Sequence, residues 1–245
     1  MTPEDVVATA SPKIGELGWS FYFIPETRAV AEGLGLDLFR LYFLGRGGVL
    51  GDVEAPVVAS AMGYFKPSLV AEMWDSGKAI VSPRDAGRAY HLASADLGRR
   101  ALAAVEDLDT FCAAAEAVND AADPVGLPLY AGIRCEPLVE DLPGRAMQLI
   151  TVLRELRGSA HLLALRAVGL DVKRAHWIKR PDEVAMFGWS EDEAPTITDA
   201  DRQRWLDAEV LTDRLVTPAF AVLDDAGQQA LLTGLERVEA ALADA

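Results

Sequence analysis

The longest uninterrupted helical signal in the chain is RAMQLITVLRELRGSAHLLALRAV, residues 145–168, and every other element has to be laid against it. It holds no proline. Projected at about 100° per residue, Ala146, Leu149, Ile150, Leu153, Ala160, Ala164 and Val168 gather on one face, and Gln148, Thr151, Glu155, Ser159 and Arg166 occupy the other. Arg157 and His161 fall on the apolar face, four positions apart and therefore adjacent. A guanidinium on a core face needs an anionic or carbonyl-rich partner, because burying it unpaired is expensive. An acid from the first half of the chain, a row of backbone carbonyls or a ligand carboxylate would serve.

The remaining segments also read as helices. The lead, residues 1–20, is weakly helical and is followed by the aromatic knot WSFYFIP (19–25). PETRAVAEGLG starts with proline in its first turn and closes on glycine. Asp37 is placed to cap a helix over 38–44, and GRGGVLGDVEAP (45–56) reads as a glycine-rich loop. Residues 56–80 have a helix-turn-helix pattern: Ala59 in the first helix, Gly63 in the turn, Leu69 in the second. A long alanine-rich stretch, 84–122, breaks near Gly98, and the segment 122–144, rich in proline and glycine, is the best linker. It divides the chain into halves, 1–130 and 131–245. Two closing helices are predicted at 199–216 and 224–243. The fold class is mainly α, with at most short β-wings around Val81 and Ile197.

One pattern occurs twice. Gly35-Leu36-Asp37 aligns with Gly169-Leu170-Asp171, and behind them Arg40 meets Arg174, Tyr42 meets His176, Phe43 meets Trp177 and Arg46 meets Arg180. In both copies glycine ends one helix, aspartate starts the next and an aromatic closes it. With YFIPE (22–26), YFLGRGGVLG (42–51), LRELRGSAHLLAL (153–165), GWSEDE followed by TDADR, and the closing LTDRLVTPAFAVLDDAGQQALLTGLERV (211–238), the chain resembles an actinobacterial family of tandem MarR-like, winged helix-turn-helix proteins. The resemblance implies two pseudo-repeated winged-helix modules, the second degenerate, but brings no assigned activity. MarR proteins pair through their terminal helices, which allows either a homodimer or the same pairing made within one chain. There are departures. The family pattern Arg-Gly-Asp-Gly-His is here Arg157-Gly158-Ser159-Ala160-His161, and only Ala194-Pro195-Thr196 stand where the second module would carry a recognition helix.

Charge narrows the function classes. There are 38 acidic and 23 basic residues, a net charge of −15. Nucleic-acid binders neutralise phosphates with Lys and Arg, and SLVAEMWDSGK, the second helix of the helix-turn-helix pattern, offers only Lys78 beside two acids. Nucleic acid is therefore a disfavoured partner. No apolar run approaches a membrane span and the chain opens MTPEDVV, so no membrane partner and a cytoplasmic location are expected. Cys112 and Cys135 form no CxxC and are read as reduced thiols.

The favoured reading is a small-molecule-binding protein, or an enzyme of specialised metabolism, on a duplicated scaffold that has lost DNA binding. The alternative is a MarR-like DNA-binding regulator that responds to a small ligand. His161 is the candidate catalytic acid or base. Arg157 and Arg46 are candidates for gripping an anion, and Tyr22, Tyr42, His176 and Trp177 for lining the ligand site; plain core packing is the competing role for the aromatics. No HxxxH or HxxE spacing supports a metal site, no nucleophile elbow is present, and the sequence names no cofactor.

Overall fold

The computed structural model describes residues 1–243, which form α1 (Pro3–Leu17), α2 (Pro25–Gly33), α3 (Leu38–Gly48), α4 (Ala55–Met62), α5 (Pro67–Lys78), α6 (Pro83–Ala101), α7 (Leu108–Ala121), α8 (Pro128–Ile133), α9 (Leu142–Ala167), α10 (Val172–Lys179), α11 (Asp199–Phe220) and α12 (Asp225–Ala243). Two short 3-10 turns, Pro181–Phe187 and Glu191–Glu193, join α10 to α11. The protein is mainly α, and no strand occurs among the described residues. At Val81 and Ile197, where a wing strand would fit, the chain makes a bend and an irregular segment.

Local chemistry sets most helix starts. Pro25, Pro67, Pro83 and Pro128 each open a helix, where the missing N–H costs nothing. The twin breaks share one geometry. Gly35 has φ 75° and Gly169 φ 74°. Leu36 N donates to Ala31 O (2.9 Å) and Leu170 N to Leu165 O (3.0 Å), the six-residue closure of a left-handed helix cap. Asp37 then accepts from Arg40 N (2.8 Å) and Asp171 from Arg174 N (2.9 Å).

Helix α9 runs through the middle, touching α1, α6, α7, α8, α10 and α11. One continuous apolar cluster surrounds most of its length, and a smaller one, built on Ala164, Leu165, Leu170, Ala175 and Ala208, closes its C-terminal end. Three expectations need correction. The polar face of α9 is largely buried: Gln148, Thr151, Glu155 and Ser159 are enclosed, while Leu163 and Arg166 near its C-terminal end are exposed. The amphipathic pattern misses this because Gln148 and Glu155 find hydrogen-bond partners on other elements and Thr151 bonds back to Met147 O within α9. Gly45–Gly48 is no loop but the end of α3. A Cβ on Gly48 would lie 1.9 Å from the Pro83 carbonyl oxygen, so these glycines serve the close crossing of α3 and α6. The break in the 84–122 stretch comes at Leu102, not Gly98, whose Cβ position abuts Pro143 O at 2.1 Å.

Candidate functional site

A cavity of about 750 Å³ opens beside α9, walled by α1, α3, α4 with the turn after it, α10, the Pro181–Phe187 turn and α11. That lies within the ~300–1,000 Å³ usual for small-molecule sites. Of the residues singled out in the sequence, Tyr22, Tyr42, Arg46, Arg157, His161 and His176 all reach its wall. Trp177 does not. Its ring packs edge-on to Trp189 at 6.0 Å, with Lys173 over both rings.

At one end, three charges are buried together. Arg46 follows Tyr42 by one turn of α3, so both point the same way. Its Nε and Nη2 donate to the two carboxylate oxygens of Glu155 at 2.8 and 3.0 Å, and Nη1 donates to the Tyr42 hydroxyl at 3.0 Å. Arg154 Nη1 donates to Glu155 Oε1 at 2.9 Å, and its guanidinium lies 5.0 Å from the Tyr22 ring centroid. Burial opposes ionisation of Glu155, but the charges of Arg46 and Arg154 and their hydrogen bonds outweigh it and hold its pKa below the ordinary value. The Tyr22 hydroxyl is buried without a hydrogen-bond partner among the described residues, and burial raises its pKa, so it stays a proton donor.

Further along α9, the anion that Arg157 requires comes from α11, not from the first half of the chain or from a ligand. Arg157 Nη2 donates to Glu209 Oε2 at 2.7 Å and to Asp213 Oδ1 at 3.4 Å. Beside it, the Thr212 hydroxyl donates to the Ala208 carbonyl (2.6 Å), so its oxygen must accept from His161 Nδ1–H (2.8 Å). That fixes the tautomer. His161 Nε2 keeps its lone pair and lies 3.9 Å from Glu209 Oε1. Burial lowers the His161 pKa, against the pull of Glu209, so the neutral ring prevails near pH 7. For Glu209, burial works against the charge, but the Arg157 hydrogen bond and the charges of Arg157 and Lys179, with His161 once it is protonated, prevail and lower its pKa. A neutral imidazole in this pose can accept a proton or a hydrogen bond at Nε2 and can pass a proton toward Glu209.

Aromatic rings make up much of the rest. Tyr42 packs on Tyr22 (5.3 Å), Phe23 (5.8 Å) and Phe65 (5.7 Å), and Phe65 stacks on Phe187 at 4.3 Å. His176 meets Phe187 at 4.0 Å, and burial drives its pKa down to about 4. Sequence reasoning missed Arg154, Glu155, Thr212 and Glu209. Only the rule that a core-facing arginine needs an acid could have pointed to an acid like Glu209, and it does not say which.

The helix-turn-helix of α4 and α5 is present, with Gly63 at φ 71° in its turn. The segment after α10 lies across that turn. Lys66 N donates to Phe187 O (2.9 Å), Trp189 Nε1 to Tyr64 O (2.8 Å), and Lys66 Nζ pairs with Glu193 (2.8 Å). At the far end of α5, Lys78 pairs with Asp52, while Ser68, Glu72 and Asp75 are exposed.

Compared with known proteins, residues 8–192 match the model of a family described as a helix-turn-helix family. No curated protein and no solved structure matches the chain. The match takes in Tyr22, Arg46, Arg154, Glu155 and His161 but stops before α11, which supplies Thr212 and Glu209.

Proposed function

On the scaffold of the helix-turn-helix family to which this chain belongs, we propose that the protein binds a small organic molecule in the cavity beside α9. The observation that carries this reading is a pair of glycines. Gly15 and Gly158 sit inside α1 and α9, both line the cavity, and a Cβ at either would meet nothing within 4 Å. Glycine inside a helix costs up to about 1 kcal/mol relative to alanine. No neighbour demands that sacrifice here, whereas room for an occupant does. His161, with Nε2 unprotonated toward the cavity, is the group we assign to accept a hydrogen bond or a proton from that occupant, which makes an enzymatic role the catalytic form of the same proposal.

The repeat reading is likewise ours. The matching caps at Gly35 and Gly169 support duplication of a helix–break–helix unit. The packing of the two copies differs, since α3 lies against α5 and α6 while α10 lies against α9 and α11. We propose a MarR-like origin on this ground, with the second copy remodelled to line the cavity.

A DNA-binding regulator is the second reading, favoured by the family match and by the formed α4–α5 pair. Three features weigh against it: the net charge of −15, the acidic exposed face of α5, and the cover of residues 187–193 over the start of α5, the end that reads base edges in such motifs.

The test of the cavity uses N-phenyl-1-naphthylamine, a neutral apolar dye. Wild-type protein should bind it saturably, with one dye per chain and enhanced emission. Gly158→Trp projects an indole into the cavity without straining the helix and should abolish binding while leaving the helical circular dichroism intact. Dye binding undiminished in Gly158→Trp, or no binding to wild type, would overturn the proposal.

A further inference from the structure

We infer that the cavity takes a planar aromatic anion, its anionic group held by Arg154 beside the Arg46–Glu155 pair and its rings lying among Tyr42, Phe65 and Phe187. The inference rests on the cavity being a ligand site and names the class of ligand.

The argument is a count of charges and donors. At the Tyr22 end, two guanidiniums share the single carboxylate of Glu155, which is buried, while the Arg46 and Arg154 side chains are 11% and 23% exposed. Arg46 spends its Nε, Nη1 and Nη2 on Glu155 and Tyr42. Arg154 gives one hydrogen bond to Glu155, and among the described residues no other acceptor meets its remaining N–H groups. A guanidinium carries five such donors. The cluster therefore holds one positive charge in excess, in a place where an uncompensated charge is costly. One carboxylate arriving through the cavity would neutralise the charge and accept from Arg154. A guanidinium engages it in the charge-assisted manner that is the strongest of ordinary hydrogen bonds.

The opposite end gives direction. Arg157 faces both Glu209 and Asp213, and Lys179 on α10 acts on Glu209 as well, so two cations there meet two anions and no positive charge is left over for an anion. The uncompensated charge at the Tyr22 end therefore sets the favoured polarity of the ligand. Seven positions separate Arg154 from His161 on α9, about 10 Å along the axis. A flat molecule of two to three fused rings spans that length and places its far edge near His161 Nε2, which welcomes a hydroxyl or amine hydrogen. Edge and face contacts from Tyr42, Phe65 and Phe187 suit a planar ring system better than an aliphatic chain.

The experiment compares 2-anthracenecarboxylate with 2-anthracenemethanol, equal in size and differing in charge, by fluorescence titration of the full chain at pH 7.5. Wild type should prefer the acid by roughly tenfold or more, the worth of a hydrogen bond to a charged group. Arg154→Gln should remove most of that preference and change the affinity for the alcohol much less. Arg154→Met, whose apolar chain keeps the packing over the Tyr22 ring, should lower the preference as far. It keeps the proposal testable if Arg154→Gln does not fold. Equal affinity of wild type for acid and alcohol, or a preference unmoved in both variants, overturns the anionic end and leaves the cavity reading standing. Failure of both compounds and of the neutral dye to bind overturns the cavity reading and this inference together.

Discussion

Individual side chains show how burial decides protonation in this protein. Glu155 is kept ionised by two guanidiniums, and with either one replaced the other still pairs with it. His91 is the opposite case. It is buried on α6, neither ring nitrogen has a partner among the described residues, and burial alone pushes its pKa down to about 4. An unfolded histidine titrates near ~6.5. Because the folded pKa is depressed, the stability that comes from a neutral ring is complete above about pH 6.5 and is lost as pH falls through about 4. His91→Leu should be at least as stable as wild type at pH 7, since it removes two unsatisfied buried nitrogens. It should also lack on the order of 3 kcal/mol of the acid destabilisation seen in wild type between pH 7 and pH 4. Urea unfolding at the two pH values measures both quantities, and parallel pH slopes for the two proteins would refute the assignment.

Among whole helices, the glycines separate into two kinds, and a single substitution tells them apart. Gly48 and Gly98 are crossing points: a Cβ at either would lie 1.9 or 2.1 Å from a carbonyl oxygen of the neighbouring backbone. Gly48→Ala and Gly98→Ala must therefore force helices apart and should each cost about 1–3 kcal/mol or more. Gly15→Ala meets nothing and should be neutral or stabilise by up to about 1 kcal/mol through helix propensity. Thermal and denaturant midpoints for the three variants give the comparison; a Gly48→Ala protein as stable as wild type would mean that α3 and α6 do not cross as described. Asp37 is legible in the sequence as the cap of α3, because caps act over three or four residues, whereas α9 starts at Leu142 behind its cap Asp141, three residues before the start read at Arg145. The sequence did not show where α3 ends, because its glycines, which in isolation favour a loop, are held helical by contact with α6.

At the scale of the whole molecule, charge and topology act together on the question of DNA. The chain carries −15 overall, no helix of the described residues is long and apolar enough to cross a membrane, and residues 187–193 pack on the turn before α5, leaving Ser68, Glu72 and Asp75 exposed along it. The protein should show no competitor-resistant binding to duplex DNA flanking its own gene, and its non-specific affinity should be weaker than the ~10⁻⁴–10⁻⁶ M common among DNA binders. A fluorescence-anisotropy titration at low and moderate salt measures this. Tight, sequence-specific binding would promote the regulator over the reading proposed above.

What the sequence determined by itself is short-range: that the chain is helical, that both Gly-Leu-Asp breaks end one helix and cap the next, that Arg157 and His161 share a face of α9, and that Arg157 needs an acid. Each depends on neighbours within a turn or two, where spacing and residue type carry the geometry. Only the tertiary structure decided that the acids are Glu209 and Asp213, more than fifty positions away on α11. The same holds for Glu155, a polar residue that in a helical projection looks like any solvated side chain. It meets Arg46 across 109 positions, and that partnership is what allows this part of the polar face of α9 to be buried. Partners so distant are chosen by the path of the chain through space, and a hydrophobic pattern records which face is apolar without recording what will arrive to pair with the polar one.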